Sequence, residues 1–336
     1  MRFAMSGMSN GTNGSHASVN AAAASGDEPE EPDGTSSLAM ATNGHRNGNN
    51  KQPTLDSARA ARAISTLGGA AVMGEAAKRF RARCYPTASD AEWHDWKWQL
   101  RNRIRDHAGL RRAMTLSSDE NEAVERLGDR LPVGITPYYA AQLDAQDPHD
   151  GLRKTMVPVV DEFGFSAGEL EDPLNEDGDM PVPGLVHRYP DRVLFLVTSF
   201  CATYCRYCTR SRLVGKTGEY HFNQAQYQRA IDYIASKPQI RDVLISGGDP
   251  LTMADDRIEW LLTQLRLIPH VEFIRIGTKV PAVLPQRITP ELTSMLRKFH
   301  PFWMSIHFMH PNEITPEVAE ACGRLADAGI PLGSQT

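Results

Sequence analysis

The stretch VLFLVTSFCATYCRYCTRSR, residues 193–212, joins an apolar run of strand length to a loop carrying Cys201, Cys205 and Cys208, with Arg206, Arg210 and Arg212 among and after them. Only two other cysteines, Cys84 and Cys322, occur in the chain, and neither has a partner nearby in sequence; both read as ordinary thiols, Cys322 on the buried face of a helix. Working outward, further strand-length runs follow: RDVLISGG, VEFIRIGTKV, FWMSIHF and GIPLGSQT. They alternate with helical stretches at 223–236, 255–267, 289–299 and 315–328. Such alternation predicts a parallel sheet with right-handed crossovers, curved or closed into a barrel, with functional residues at the strand C-termini. The cysteine loop leaves the first of these strands at that end. The last run stops at Thr336 on an uncovered strand, which predicts a fragment of a longer protein.

Upstream, DPLNEDGDMPVPGLVHRYPDR reads as an extended linker rich in Pro, Asp and Gly. Two helices are expected before it, in ASDAEWHDWKWQLRNRIRD, where Ser89 and Glu92 form a capping box, and in SSDENEAVERLGDRL. The tryptophans Trp93, Trp96 and Trp98 make a candidate subunit contact, weighed against burial on the protein's own barrel. Residues 1 to about 55 have almost no aromatic or branched side chains and read as a disordered tail. The expected organisation is a low-complexity tail at 1–55, a helical region and linker at 56–180, and the barrel at 181–336.

A formal charge of −5 gives no support for a nucleic-acid partner, and no apolar run is long enough to span a bilayer. Five cysteines, three of them clustered, do not make a secreted disulfide framework. With no signal peptide or presequence pattern at the start, the cytoplasm is the expected compartment.

Three thiolates on one loop suit two metal centres. A zinc site needs a fourth ligand, for which His187 or His221 would serve. A 4Fe-4S cluster held by three cysteines leaves one iron open, and the spacing C-x3-C-x2-C after a strand favours this reading.

That spacing, followed by LISGGDPL at the end of the next strand, resembles the radical S-adenosylmethionine enzymes. More narrowly, WHDWKWQLRNRI, RLPVGITPYYA, PGLVHRYPDRVLFLVTSFCATYCRYCTR, VLPQRITPEL and HPNEITPEVAEACGRLADAGIPLGSQT are similar, in order and spacing, to the lysine 2,3-aminomutase family. The similarity spans about residues 85 to 336. It implies an α/β fold, a partial TIM-like (βα)6 radical SAM barrel preceded by a helical N-terminal region, and an isomerase that moves an α-amine to the β carbon through a 5′-deoxyadenosyl radical. It implies cluster ligands Cys201, Cys205 and Cys208. Ser246, Gly247, Gly248 and Asp249 are expected around the methionine part of S-adenosylmethionine, with His307 and Gln335 near the nucleoside. Pyridoxal 5′-phosphate is the implied second cofactor, with Arg188, Tyr189 and Arg192 near it, and Arg210 is expected to clamp the substrate α-carboxylate. Implied partners are a small amino acid substrate, a reductase or flavodoxin-type electron donor, and a second copy of the chain.

Departures are visible too. CRYCTRSR stands where lysine enzymes commonly read CRHCTRRR, and HFMHP where they commonly read HFNHP, leaving room for arginine or glutamate as substrate. The family's aldimine-forming lysine falls beyond Thr336, and neither Lys279 nor Lys298 matches it. The competing readings are another radical S-adenosylmethionine reaction without pyridoxal phosphate, and an inactive or zinc-stapled binding fragment.

Overall fold

In the downstream apolar runs, Val, Ile, Phe and Met alternate with smaller or polar residues, the pattern of strands whose one face lies under helices. The computed structural model describes residues 72–128, 130–164, 168–215 and 223–335. The expected tail at 1–55, the residues that follow it up to 71, and His221 lie outside them. One sheet runs in chain order: β1 (Leu185–Tyr189), β2 (Arg192–Thr198), β3 (Asp242–Gly247), β4 (Phe273–Thr278), β5 (Phe302–His307) and β6 (Leu332–Gln335). β2 through β6 are parallel, joined by crossover helices Gln224–Ala235, Asp255–Arg266, Pro290–Leu296 and Pro316–Asp327. β1 pairs antiparallel with β2. The end of the supposed linker is therefore a strand: Leu185 and Val186 are buried and pair with Phe195 and Leu194. Their two apolar side chains were hidden among turn-forming neighbours.

The helix-covered face carries Val193, Phe195, Val197, Val243, Ile245, Ile274, Ile276, Phe302, Met304 and Ile306, all buried. Phe195 meets Tyr227 of the first crossover helix edge to face, centroids 6.1 Å apart. The opposite face is inner and less filled. Near its C-terminal end, Leu196 lies beside Ser246, Gly277 beside Ser305, and Ser305 beside Gly333, while a Cβ on Gly277 would sit 3.7 Å from Ser246 Oγ. A row of such small side chains leaves space where a packed barrel would place branched residues.

The N-terminal region is helical: Glu75–Cys84, Asp90–His94, Trp96–Arg101, His107–Ala113 and Ser118–Arg126. The expected capping box forms at Ser89 with Glu92, and a second forms at Ser117 with Glu120. The tryptophan stretch is two helices, because Asp95 takes an extended conformation and its carboxylate caps the second through Lys97 N and Trp98 N. Trp93 is fully buried, Trp98 packs against it at 5.9 Å, and the Arg287 guanidinium covers Trp96 at 4.6 Å. The tryptophans thus dock on their own chain, and the face proposed as a subunit contact is largely occupied. Among the described residues no helix is long and apolar enough to cross a membrane.

Candidate functional site

The loop after β2 and the turn after β3 are built against each other. Gly248 N donates to Thr198 O, and Asp249 N to Phe200 O at 2.8 Å. Gly247 has φ +116°, and a Cβ there would lie 2.5 Å from Thr198 O. On Gly248 a Cβ would collide with the Phe200 backbone. Both glycines are required by the approach of the cysteine loop, a tighter constraint than the ligand contact expected of them. Asp249 also departs from expectation. Its Oδ1 accepts from Thr278 Oγ1 (2.6 Å) and Leu251 N (3.1 Å), and its Oδ2 from Lys279 N (2.8 Å) and Val280 N (3.1 Å). With both oxygens doubly occupied, the carboxylate ties β3 to the end of β4 and has no lone pair left for a ligand ammonium.

Cys201, Cys205 and Cys208 are free thiols in half-buried residues. Burial pushes all three up, Cys201 well above the usual thiol range and Cys205 to about 11. Lys279 opposes this at Cys205, and at Cys208 the Arg210 backbone N–H and guanidinium do so. Among the described residues no three His, Cys, Asp or Glu side chains converge on a single ion position. A cube of iron and sulfide takes its thiolates at separate corners. His187 faces elsewhere, with Nδ1 2.9 Å from the Tyr233 hydroxyl on the helix side of the sheet. The donor set, with cationic groups around it, fits an anionic 4Fe-4S cluster.

The arginines divide by partner. Arg206 binds Glu162 and the Leu131 carbonyl, and its N–H binds Thr155 O. Arg212 binds Asp172 and Asp177. These two lash the cysteine loop to the segments before β1. Arg210 forms a bidentate pair with buried Glu176 through Nε and Nη2, at 2.9 and 2.7 Å. Arg103, unremarked in the sequence, donates to Cys201 O at 2.7 Å and covers the Phe200 ring at 4.3 Å.

His307 and Gln335 end β5 and β6 as neighbours in register, on the inner face. The His307 ring meets Tyr207 of the cysteine loop edge to face at 5.5 Å. Burial and then Lys279 lower its pKa, so the ring is neutral at pH 7. Arg188, Tyr189 and Arg192 are not brought to this end. They form the exposed turn between β1 and β2, about 20 Å along the strand from Thr198. Arg188 pairs with Asp179 and Arg192 with Asp191. These three residues therefore do not line the space beside the cysteine loop.

Sequence reading missed the buried set Lys279, Glu313 and Tyr139 above the sheet. Lys279 directly follows β4, a position where chemistry is expected; Glu313 and Tyr139 carry no signal of their own.

The family model for the Radical SAM superfamily matches residues 195–332. Over 256 residues, 76% of this chain and 61% of the relative, the chain is 51% identical to L-lysine 2,3-aminomutase of Clostridium subterminale. Over 247 residues, 74% of this chain and 58% of the relative, it is 43% identical to glutamate 2,3-aminomutase of Clostridioides difficile (strain 630). Over 244 residues, 72% of this chain and 70% of the relative, it is 33% identical to L-lysine 2,3-aminomutase of Escherichia coli (strain K12). The chain spans about three fifths of the length of the first two relatives. The match to the Radical SAM superfamily implies a 4Fe-4S cluster and S-adenosylmethionine as cofactors. A third of the residues identical across 70% of the Escherichia coli enzyme, with the cysteine loop and glycine turn in contact, makes this chain a member of the lysine 2,3-aminomutase family of radical SAM proteins.

Proposed function

We propose that the chain carries the radical-generating part of an amino acid 2,3-aminomutase acting on L-lysine. The observation that carries this is the packing of the three-cysteine loop on the Gly247–Gly248 turn at the strand C-termini. Cys201, Cys205 and Cys208 hold the cluster. The Ser246–Gly248 backbone, His307 and Gln335 hold S-adenosylmethionine in the space left by the small inner row. When bound, the cluster supplies the electron that splits the sulfonium to a 5′-deoxyadenosyl radical. Arg210 meets the substrate carboxylate through Nη1, while Glu176 occupies its other edge. Arg188, Tyr189 and Arg192 have no part in this site. A reductase or flavodoxin-type donor supplies the electron, in the cytoplasm, and self-association would use a surface other than the tryptophans.

Glutamate is the second reading, supported by 43% identity to a glutamate enzyme. The test is anaerobic reconstitution of the full-length protein, with any segment that follows Thr336 included, using iron and sulfide, then incubation with S-adenosylmethionine, pyridoxal phosphate, dithionite and either amino acid. β-Lysine is the expected product. β-Glutamate would move the substrate to the second reading, and 5′-deoxyadenosine without any β-amino acid would overturn the aminomutase reading while keeping the radical chemistry.

A further inference from the structure

Lys279 is 9% exposed, and its ammonium lies 2.6 Å from Glu313 Oε1 and 3.3 Å from the His307 carbonyl. Glu313 is fully buried and holds more than the lysine. Its Oε1 accepts from the Tyr139 hydroxyl at 2.5 Å, and its Oε2 from the N–H groups of Met309 and His310 at 2.5 and 3.1 Å. Burial opposes its charge, but Lys279, Tyr139 and the Met309 N–H more than offset that, so the carboxyl lies below its ordinary range. All four acceptor positions of Glu313 are taken.

The cationic end of the pair is turned differently. His307, whose carbonyl Lys279 holds, packs its ring on Tyr207, which sits between Cys205 and Cys208. The pair is a fixed dipole whose cationic end is joined to the cysteine loop through that contact, while its carboxylate is turned to Tyr139, Met309 and His310. A charge in a low-dielectric interior acts far more strongly than at a wet surface.

We propose that Lys279 is an electrostatic positioning residue whose buried ammonium, anchored by Glu313 and Tyr139, raises the reduction potential of the cluster held by Cys201, Cys205 and Cys208. A cluster ligated by three thiolates is an anion and gains further negative charge on reduction, so a fixed cation stabilises the reduced state; potentials of such clusters respond to local charge. This rests on the cluster reading given above.

The full chain is reconstituted anaerobically as wild type, Lys279→Gln, Lys279→Arg and Glu313→Gln, and the potential is read at pH 7 by titration with electron paramagnetic resonance detection. Lys279→Gln is expected to lower the reduced-to-oxidised ratio at fixed potential about tenfold, a shift of about 59 mV for one electron. Lys279→Arg keeps the wild-type potential, and Glu313→Gln raises it. A wild-type chain that binds no cluster overturns the site reading itself. Full iron content with an unchanged potential in Lys279→Gln overturns the role of Lys279, as does an equal fall in Lys279→Arg. Should Lys279→Gln not assemble a cluster, Glu313→Gln decides: a raised potential supports the dipole, and an unchanged one overturns it.

Discussion

Arg210 and Glu176 lie side by side as fork and carboxylate, with Nε 2.9 Å and Nη2 2.7 Å from Oε1. Glu176 comes from the acidic segment before β1, so that segment sets the direction of an arginine in the cysteine loop. Glu176→Gln keeps the shape but removes the charge. It is expected to cost about 1.5–3 kcal/mol of stability in a urea titration, the usual worth of a hydrogen bond to a charged group. In turnover assays KM for the amino acid should rise several-fold with kcat little changed. An unchanged KM would remove Glu176 from substrate positioning.

Gly248→Ala should abolish the visible absorption of the reconstituted cluster, because its Cβ meets backbone of Phe200 that has no side chain to swing aside. Gly323, in the helix Pro316–Asp327, has nothing within 4 Å of an added Cβ. Gly323→Ala should leave cluster content unchanged and stabilise the protein by about 1 kcal/mol through helix propensity alone. Equal iron content in the two variants would show that the loop yields at Phe200.

In the N-terminal region, Arg153 and Glu120 form a fully buried bidentate pair, with Arg153 also donating to the carbonyls of Thr115 and Asp144. Glu120→Ala leaves a buried guanidinium without its anion and is expected to cost about 3–5 kcal/mol by chemical denaturation. A loss below about 1 kcal/mol would mean that water reaches the site.

The cluster-free protein should lose stability as pH rises from about 8.5, the unfolded thiol value, through about 11, where Cys205 titrates when folded. The sign follows from burial: the folded state keeps thiol protons that the unfolded chain has released. Cys201 and Cys208 act in the same direction. Alkylation of the three thiols should rise over the same window, read by mass spectrometry of the labelled peptides. Full labelling already at pH 7 would mean that the loop opens without its cluster.

Much of this was legible in one dimension. Period-two apolar runs separated by amphipathic stretches specify a parallel sheet because each strand must cover one face and each crossover must return to the same end. Cysteine spacing is a local property, and so the three cysteines proposed to hold the cluster could be singled out without a fold. β1 was not legible, because its apolar residues are few and its strand character depends on an edge of β2 being open to pair.

The order of elements from β2 onward, the cysteine triplet and the family resemblance were readable from the letters, since each rests on local patterns of neighbouring residues. The partners of the charged residues were not readable in this way. Asp249, Arg206, Arg210, Arg212 and Lys279 each had a ligand role or a vacancy open to them as letters, and each is claimed by a partner distant in the chain. A charge near a low-dielectric interior persists only where a counter-charge or a full set of hydrogen bonds meets it, and that meeting is made by folding.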